Sequence, residues 1–199
     1  MRDDRGVGDD DRFRREDLDE LSAYVQERWL AGRSADWGAP AGTLAWTCSE
    51  TADHTVDTVF APAFFLASGR QDMYPDVGIY SVGPDAGPEQ YVEALAVATR
   101  VLGAVVADAD DDERAIIWQW PEPTLAAPAD FLPRGGLELI LHGHDVCAGL
   151  GIEFRPPADV CRRVRHHTLD WPMWLRWNGL AETDDPWADL LRGSGRYPT

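Results

Sequence analysis

The chain has 199 residues, 44% of them hydrophobic, and a formal net charge of −17; that is enough for one domain with its own core and an appendage, but not for a second full domain. All 18 basic residues are arginine, lysine being absent, against 35 acidic ones, and so acidic a surface argues against nucleic acid and anionic membranes as partners. The charged N-terminus lacks the apolar run of a secretory signal and no apolar stretch approaches the roughly 20 residues of a membrane span, so a soluble, cytoplasmic protein is expected.

Residues 1–14 are polar and charge-dense, which predicts a disordered tail outside a single domain covering 15–199. A helical period then runs through Leu18, Leu21, Tyr24, Val25, Trp29 and Leu30, with Gly32 as its stop. After a loop-like segment, Thr47 and Glu50 form the Ser/Thr-x-x-Glu capping box that opens a second helix. This helix carries Ala52, Val56, Val59, Phe60, Ala63 and Phe64 toward Gly69, with a kink expected at Pro62. Residues 70–88 hold several glycines and prolines and read as a long irregular connection of the kind that walls a pocket. A third helix starts at Pro88 and places Tyr91, Leu95, Ala98, Leu102 and Val105 on one face. The acidic run Asp108 to Glu113 reads as a solvated loop, and AIIWQW as a brief strand or pocket-lining turn. The fourth helix spans roughly Asp130 to Leu150, weakened in its first half by Gly135 and Gly136. Beyond Gly151 come a short helix around Asp159 to His167, the stretch WPMWLRW and a final short helix in DPWADLL. These elements predict an all-α fold: a four-helix bundle with a short C-terminal appendage from about residue 151.

Glu138 and His142 stand four apart on the fourth helix, so their side chains leave one face about 5–6 Å apart. His54, near the start of the second helix, can reach the same position from a facing helix. Two imidazoles and a carboxylate suit a divalent metal, and three protein ligands leave a fourth tetrahedral position open, as in catalytic zinc. Such a pair on a helix also occurs commonly as a core histidine beside a helix-face carboxylate, and the residues alone leave both readings open. His144, two positions on, faces another side of the helix and lines the cavity mouth or is exposed. His166 and His167 read as surface residues. Among nine tryptophans, Trp46, Trp118 and Trp120 are candidates for an apolar pocket wall, with Trp171, Trp174, Trp177 and Trp187 packing the C-terminal segment. Cys48, Cys147 and Cys161 share no CxxC spacing and read as buried thiols.

Three segments carry a resemblance. WTCSETADH, residues 46–54, resembles the Trp-Thr-x-x-(Asp/Glu)-x-x-x-His pattern of the mycothiol-dependent maleylpyruvate isomerase family, a DinB-like group. ELILHGHDVCAGLG, residues 138–151, is similar to its Glu-x-x-x-His-Gly-x-Asp signature, and DPWADLLRGSGRYP to its closing pattern. The resemblance implies a DinB-like four-helix bundle with His54, Glu138 and His142 as ligands of a divalent metal, zinc first. It also implies that Asp145 orients His142 or handles a proton. The activity implied is that of an isomerase or thiol S-transferase acting on a small, partly apolar electrophile, with mycothiol as cosubstrate. The family's isomerases carry a further sterol-carrier-like domain with a catalytic arginine, and the roughly 50 residues after Gly151 are too few for one, so maleylpyruvate itself is not the expected substrate. The alternatives are a thiol-independent Lewis-acid lyase, hydrolase or cyclase of specialised metabolism, and a non-catalytic metal- or ligand-binding bundle. The partner expected is a small molecule, with a homodimer left open.

Overall fold

A computed structural model of the protein describes residues 11–76, 80–83, 85–168 and 182–196. It is mostly helical, with six α-helices and little strand among the described residues. The elements in chain order are α1 (Arg15–Ala31), α2 (Cys48–Ser68), α3 (Pro88–Asp108), β1 (Ala115–Trp118), β2 (Thr124–Ala126), α4 (Phe131–Leu150), α5 (Ala158–Thr168) and α6 (Pro186–Gly193). The all-α expectation holds at this level.

The helices form where the sequence supplies their ends. Thr47 caps α2, its hydroxyl accepting from the Glu50 amide at 3.1 Å while the Glu50 carboxylate accepts from the Thr47 amide at 2.7 Å. At the other end Gly69 adopts a left-handed φ of 60°, a conformation that costs glycine nothing. Pro62 lies inside α2, which continues past it to Ser68. α1 and α2 each pack against both α3 and α4. Leu18, Leu21 and Trp29 of α1, Val56 and Val59 of α2, Leu95 and Leu102 of α3, and Leu137 and Ile140 of α4 are all fully buried between them.

The glycines that helix propensity marks as a weakness in α4 are points of close approach. A Cβ on Gly135 would stand 2.6 Å from Leu102, and one on Gly136 2.7 Å from the Phe13 ring. The latter contact corrects an expectation: Phe13 is only 1% exposed and belongs to the core, and its amide donates to His167 Nε2 at 3.2 Å. The core therefore begins before residue 15, and burial of a phenyl ring there contributes roughly 2–3 kcal/mol. His167 is likewise not a surface residue, its side chain being 12% exposed and facing Asp130 at 3.8 Å, whereas His166 is exposed.

AIIW forms β1, paired antiparallel with β2 and tied to the end of α2 through the Ile116 amide on the Arg70 carbonyl at 2.8 Å. α3 is long and apolar enough, by length and composition, to cross a membrane, which the sequence reading did not anticipate. Its Tyr91, Leu95, Ala98 and Leu102 face is buried against the neighbouring helices, as in any core helix of this composition. α5 packs on α4 and α6, and Trp187 anchors the C-terminal part through its indole N–H on the Phe154 carbonyl at 3.2 Å. Trp171, Trp174 and Trp177 lie outside the described residues. The three cysteines are free and buried.

Candidate functional site

The segment between α1 and α2 lies across the end of α4. Gly149 makes this possible, since a Cβ there would meet the Pro40 carbonyl at 2.4 Å and Cys48 Sγ at 2.5 Å. With Cys48 set against Gly149, six residues of α2 advance about 9 Å to His54 and seven residues back along α4 cover about 10.5 Å to His142. The two helices lie side by side, so the two histidines come level. Their ring centroids are 5.0 Å apart at an interplanar angle of 80°.

One turn back along α4, Glu138 Oε2 faces His142 Nε2 at 3.4 Å. On the far side of the ring, His142 Nδ1 meets Asp145 Oδ2 at 3.1 Å. Asp145 is 2% exposed and receives Arg196 as well, from Nε at 2.9 and 3.0 Å and from Nη2 at 2.7 Å. Burial alone would raise the Asp145 carboxyl, but the hydrogen bonds from His142 and Arg196, together with the arginine charge, hold it below the usual carboxylate range. An ionised carboxylate can only accept, so the 3.1 Å contact with Asp145 favours the hydrogen on His142 Nδ1 over the longer 3.4 Å approach of Arg196 Nη2 to the same atom, and Nε2 is the atom turned to Glu138.

His54 is half-buried, and burial, reinforced by neighbouring His142, pushes its pKa down against the pull of Glu138, Asp57 and Asp53. Its imidazole is neutral at neutral pH, the form that binds metals. Trp46 packs against it edge-on with centroids 4.8 Å apart. Asp53 and Asp57, on either side of His54, accept from the Val82 amide at 2.7 Å, the Ser81 hydroxyl at 3.0 Å and the Tyr80 amide at 2.9 Å. Residues 80–82 of the long connection are thereby laid back along α2 beside His54.

Of the residues singled out in the sequence, His54, Glu138, His142 and Asp145 come together, with Trp46 against them. Trp118 lies further off: its ring covers the Arg134 guanidinium at 3.9 Å, one turn before Glu138, with Phe65 and Tyr74 at 5.1 and 5.9 Å from the same cation. Trp120 is 76% exposed and walls nothing among the described residues. His144 points to the opposite side of α4, against Trp187 and Phe154 with centroids 5.1 and 6.5 Å away, and so stands apart from this cluster. Arg196 was missed as a functional residue; the motif Gly-Arg-Tyr-Pro contains it, but no spacing rule ties residue 196 to residue 145.

The donor set suits a divalent ion. Two donors about 2.0–2.1 Å from a tetrahedral ion lie about 3.4 Å apart, and the centroids of two imidazoles so bound about 5.2 Å apart. The Glu138–His142 separation of 3.4 Å and the His54–His142 centroid distance of 5.0 Å sit close to these values. Yet no three His, Cys, Asp or Glu side chains among the described residues stand as a complete metal cluster. The pairwise spacing is set by helix packing, which fixes the backbone positions, whereas closing the donors onto one ion takes only changes of χ1 and χ2 at His54 and Glu138. Compared with models of protein families, with curated proteins and with solved structures, the chain matches none.

Proposed function

We propose that this chain is a small metal-dependent enzyme of DinB-like bundle architecture, with His54, Glu138 and His142 as the ligands of one divalent ion, zinc first. The observation that carries the reading is the approach of His142 Nε2 to Glu138 Oε2 at 3.4 Å, with the other imidazole nitrogen set against Asp145. Such a pair calls for a positive centre between or beside its members, a proton or a metal, and the neutral imidazole of His54 adds a third donor suited to the metal. The three segments of the resemblance, which bring Trp46 and His54, Glu138 to Asp145, and Arg196, meet here and support it as well.

When bound, the ion supplies Lewis acidity and lowers the pKa of a coordinating thiol or water. The protein's own groups do the rest. Asp145, locked by Arg196, holds the His142 ring in one tautomer and one orientation, as carboxylates behind metal-ligating histidines do. Trp46 shields the His54 edge of the site from water. The reaction proposed is thiol transfer to, or isomerisation of, a small and partly apolar electrophile, with mycothiol as cosubstrate.

Metal analysis of the purified wild type beside His54→Ala and Glu138→Ala tests the site: the wild type carries about one ion per chain and each variant loses it. Equal metal in all three, or none in any, overturns the assignment. Mycothiol is then expected to perturb the visible spectrum of the cobalt-substituted protein, and an unchanged spectrum removes the thiol from the proposal in favour of Lewis-acid chemistry alone.

A further inference from the structure

His144 is two residues beyond His142 and so points about 200° around α4. There a cavity of about 310 Å³ opens between α4, the connector at residues 153–155 and α6, lined by His144, Glu153, Phe154, Arg155, Asp185 and Trp187 among others. The volume is at the lower end of the range of small-molecule pockets, roughly 300–1,000 Å³.

Its wall is aromatic and fixed. Phe154 and Trp187 are 7% and 6% exposed, and their rings meet at right angles with centroids 6.4 Å apart. His144 stands edge-on to Trp187 at 5.1 Å. Among the described residues it has no hydrogen-bond partner, so its ring nitrogens are left for a ligand.

The rim has an unspent charge, and it is negative. Arg155 is engaged by Asp185, Nη2 to Oδ2 at 2.8 Å, while its amide donates to the Tyr24 hydroxyl at 2.8 Å. Glu153 is exposed and has no ion-pair partner among the described residues. Glu153, Asp185 and Arg155 leave a net charge of minus one beside an aromatic wall, on a chain whose overall charge of −17 draws cations.

We propose that this cavity is a binding site, separate from the His54 cluster, for a small aromatic amine. The ring lies against Trp187 and Phe154, the ammonium group meets the Glu153 carboxylate, and a polar ring atom reaches His144.

Calorimetric titration of the full chain with tryptamine tests this, with indole-3-acetate and neutral indole as controls. Tryptamine is expected to bind at least several-fold more tightly than indole-3-acetate. Glu153→Gln is expected to weaken tryptamine roughly fivefold, the effect of one partly screened ion pair, and to leave indole unchanged. Ala188→Trp, which fills the cavity from α6, removes binding of both. The proposal is overturned if tryptamine gives no saturable binding up to ~10 mM, if the two ions bind equally, or if Glu153→Gln binds tryptamine as the wild type does. Should Ala188→Trp fail to fold, the Glu153→Gln comparison alone decides.

Discussion

Replacing Gly149 with alanine sets two effects of opposite sign against each other. Within a helix, alanine is favoured over glycine by at most about 1 kcal/mol, so propensity alone predicts a more stable protein. The added Cβ, however, would stand 2.4 Å from the Pro40 carbonyl oxygen, 2.5 Å from Cys48 Sγ and 3.1 Å from Ala41 Cα. Two of those three are backbone atoms that cannot rotate aside. They belong to a segment tied by the Ala41 amide on the Trp46 carbonyl and the Cys48 amide on the Ala39 carbonyl, both at 2.9 Å. Overpacking of this kind costs roughly 1–3 kcal/mol, and with rigid neighbours the upper half of that range applies. The net expectation is a loss of about 1–2 kcal/mol, or roughly 2–8 °C in Tm for a chain of this length. Urea and thermal unfolding followed by circular dichroism measure it. A variant as stable as the wild type, or more so, would mean that the α4 contact with residues 40–48 is not close and does not bring His54 level with His142.

Phe13→Ala is expected to cost about 3–5 kcal/mol in urea unfolding; a loss under 1 kcal/mol would return the segment to the tail. The Glu50 carboxyl is held below its usual range by hydrogen bonds from the Thr47 amide and then its hydroxyl. Its stabilising effect is thus present above the unfolded value of about 4.3 and is lost as pH falls through the folded one. The Tm gap between wild type and Glu50→Gln should therefore close below about pH 4, and a gap independent of pH refutes the capping box as its cause. Arg196→Gln is expected to weaken metal binding about 10–100-fold with the helical content unchanged, as read by competition with a chromophoric chelator; unaltered affinity would show that Asp145 orients His142 without help.

The helices were legible because their signals are local. The Thr47–Glu50 box, Pro88 at the start of α3 and the glycines after α1, α2 and α4 each act within a few residues of themselves. The i, i+4 spacing of Glu138 and His142 was legible for the same reason. What lay hidden depends on contacts distant in sequence. Phe13 sits among charges that give it no periodic partners, so only Gly136, which leaves room for its ring, reveals it as core. His167 reads as surface within an Arg-rich run until Phe13 is placed beside it. Trp118 and Trp120 stand two apart, a spacing that strand alternation would set on one face, yet one covers Arg134 and the other, beyond the end of β1, is exposed.

The Arg196–Asp145 pair spans 51 residues of chain. During synthesis on the ribosome, His54, Glu138, His142 and Asp145 all emerge well before Arg196 does. The helical core can therefore gather while the His142 imidazole still lacks the brace that Arg196 brings through Asp145.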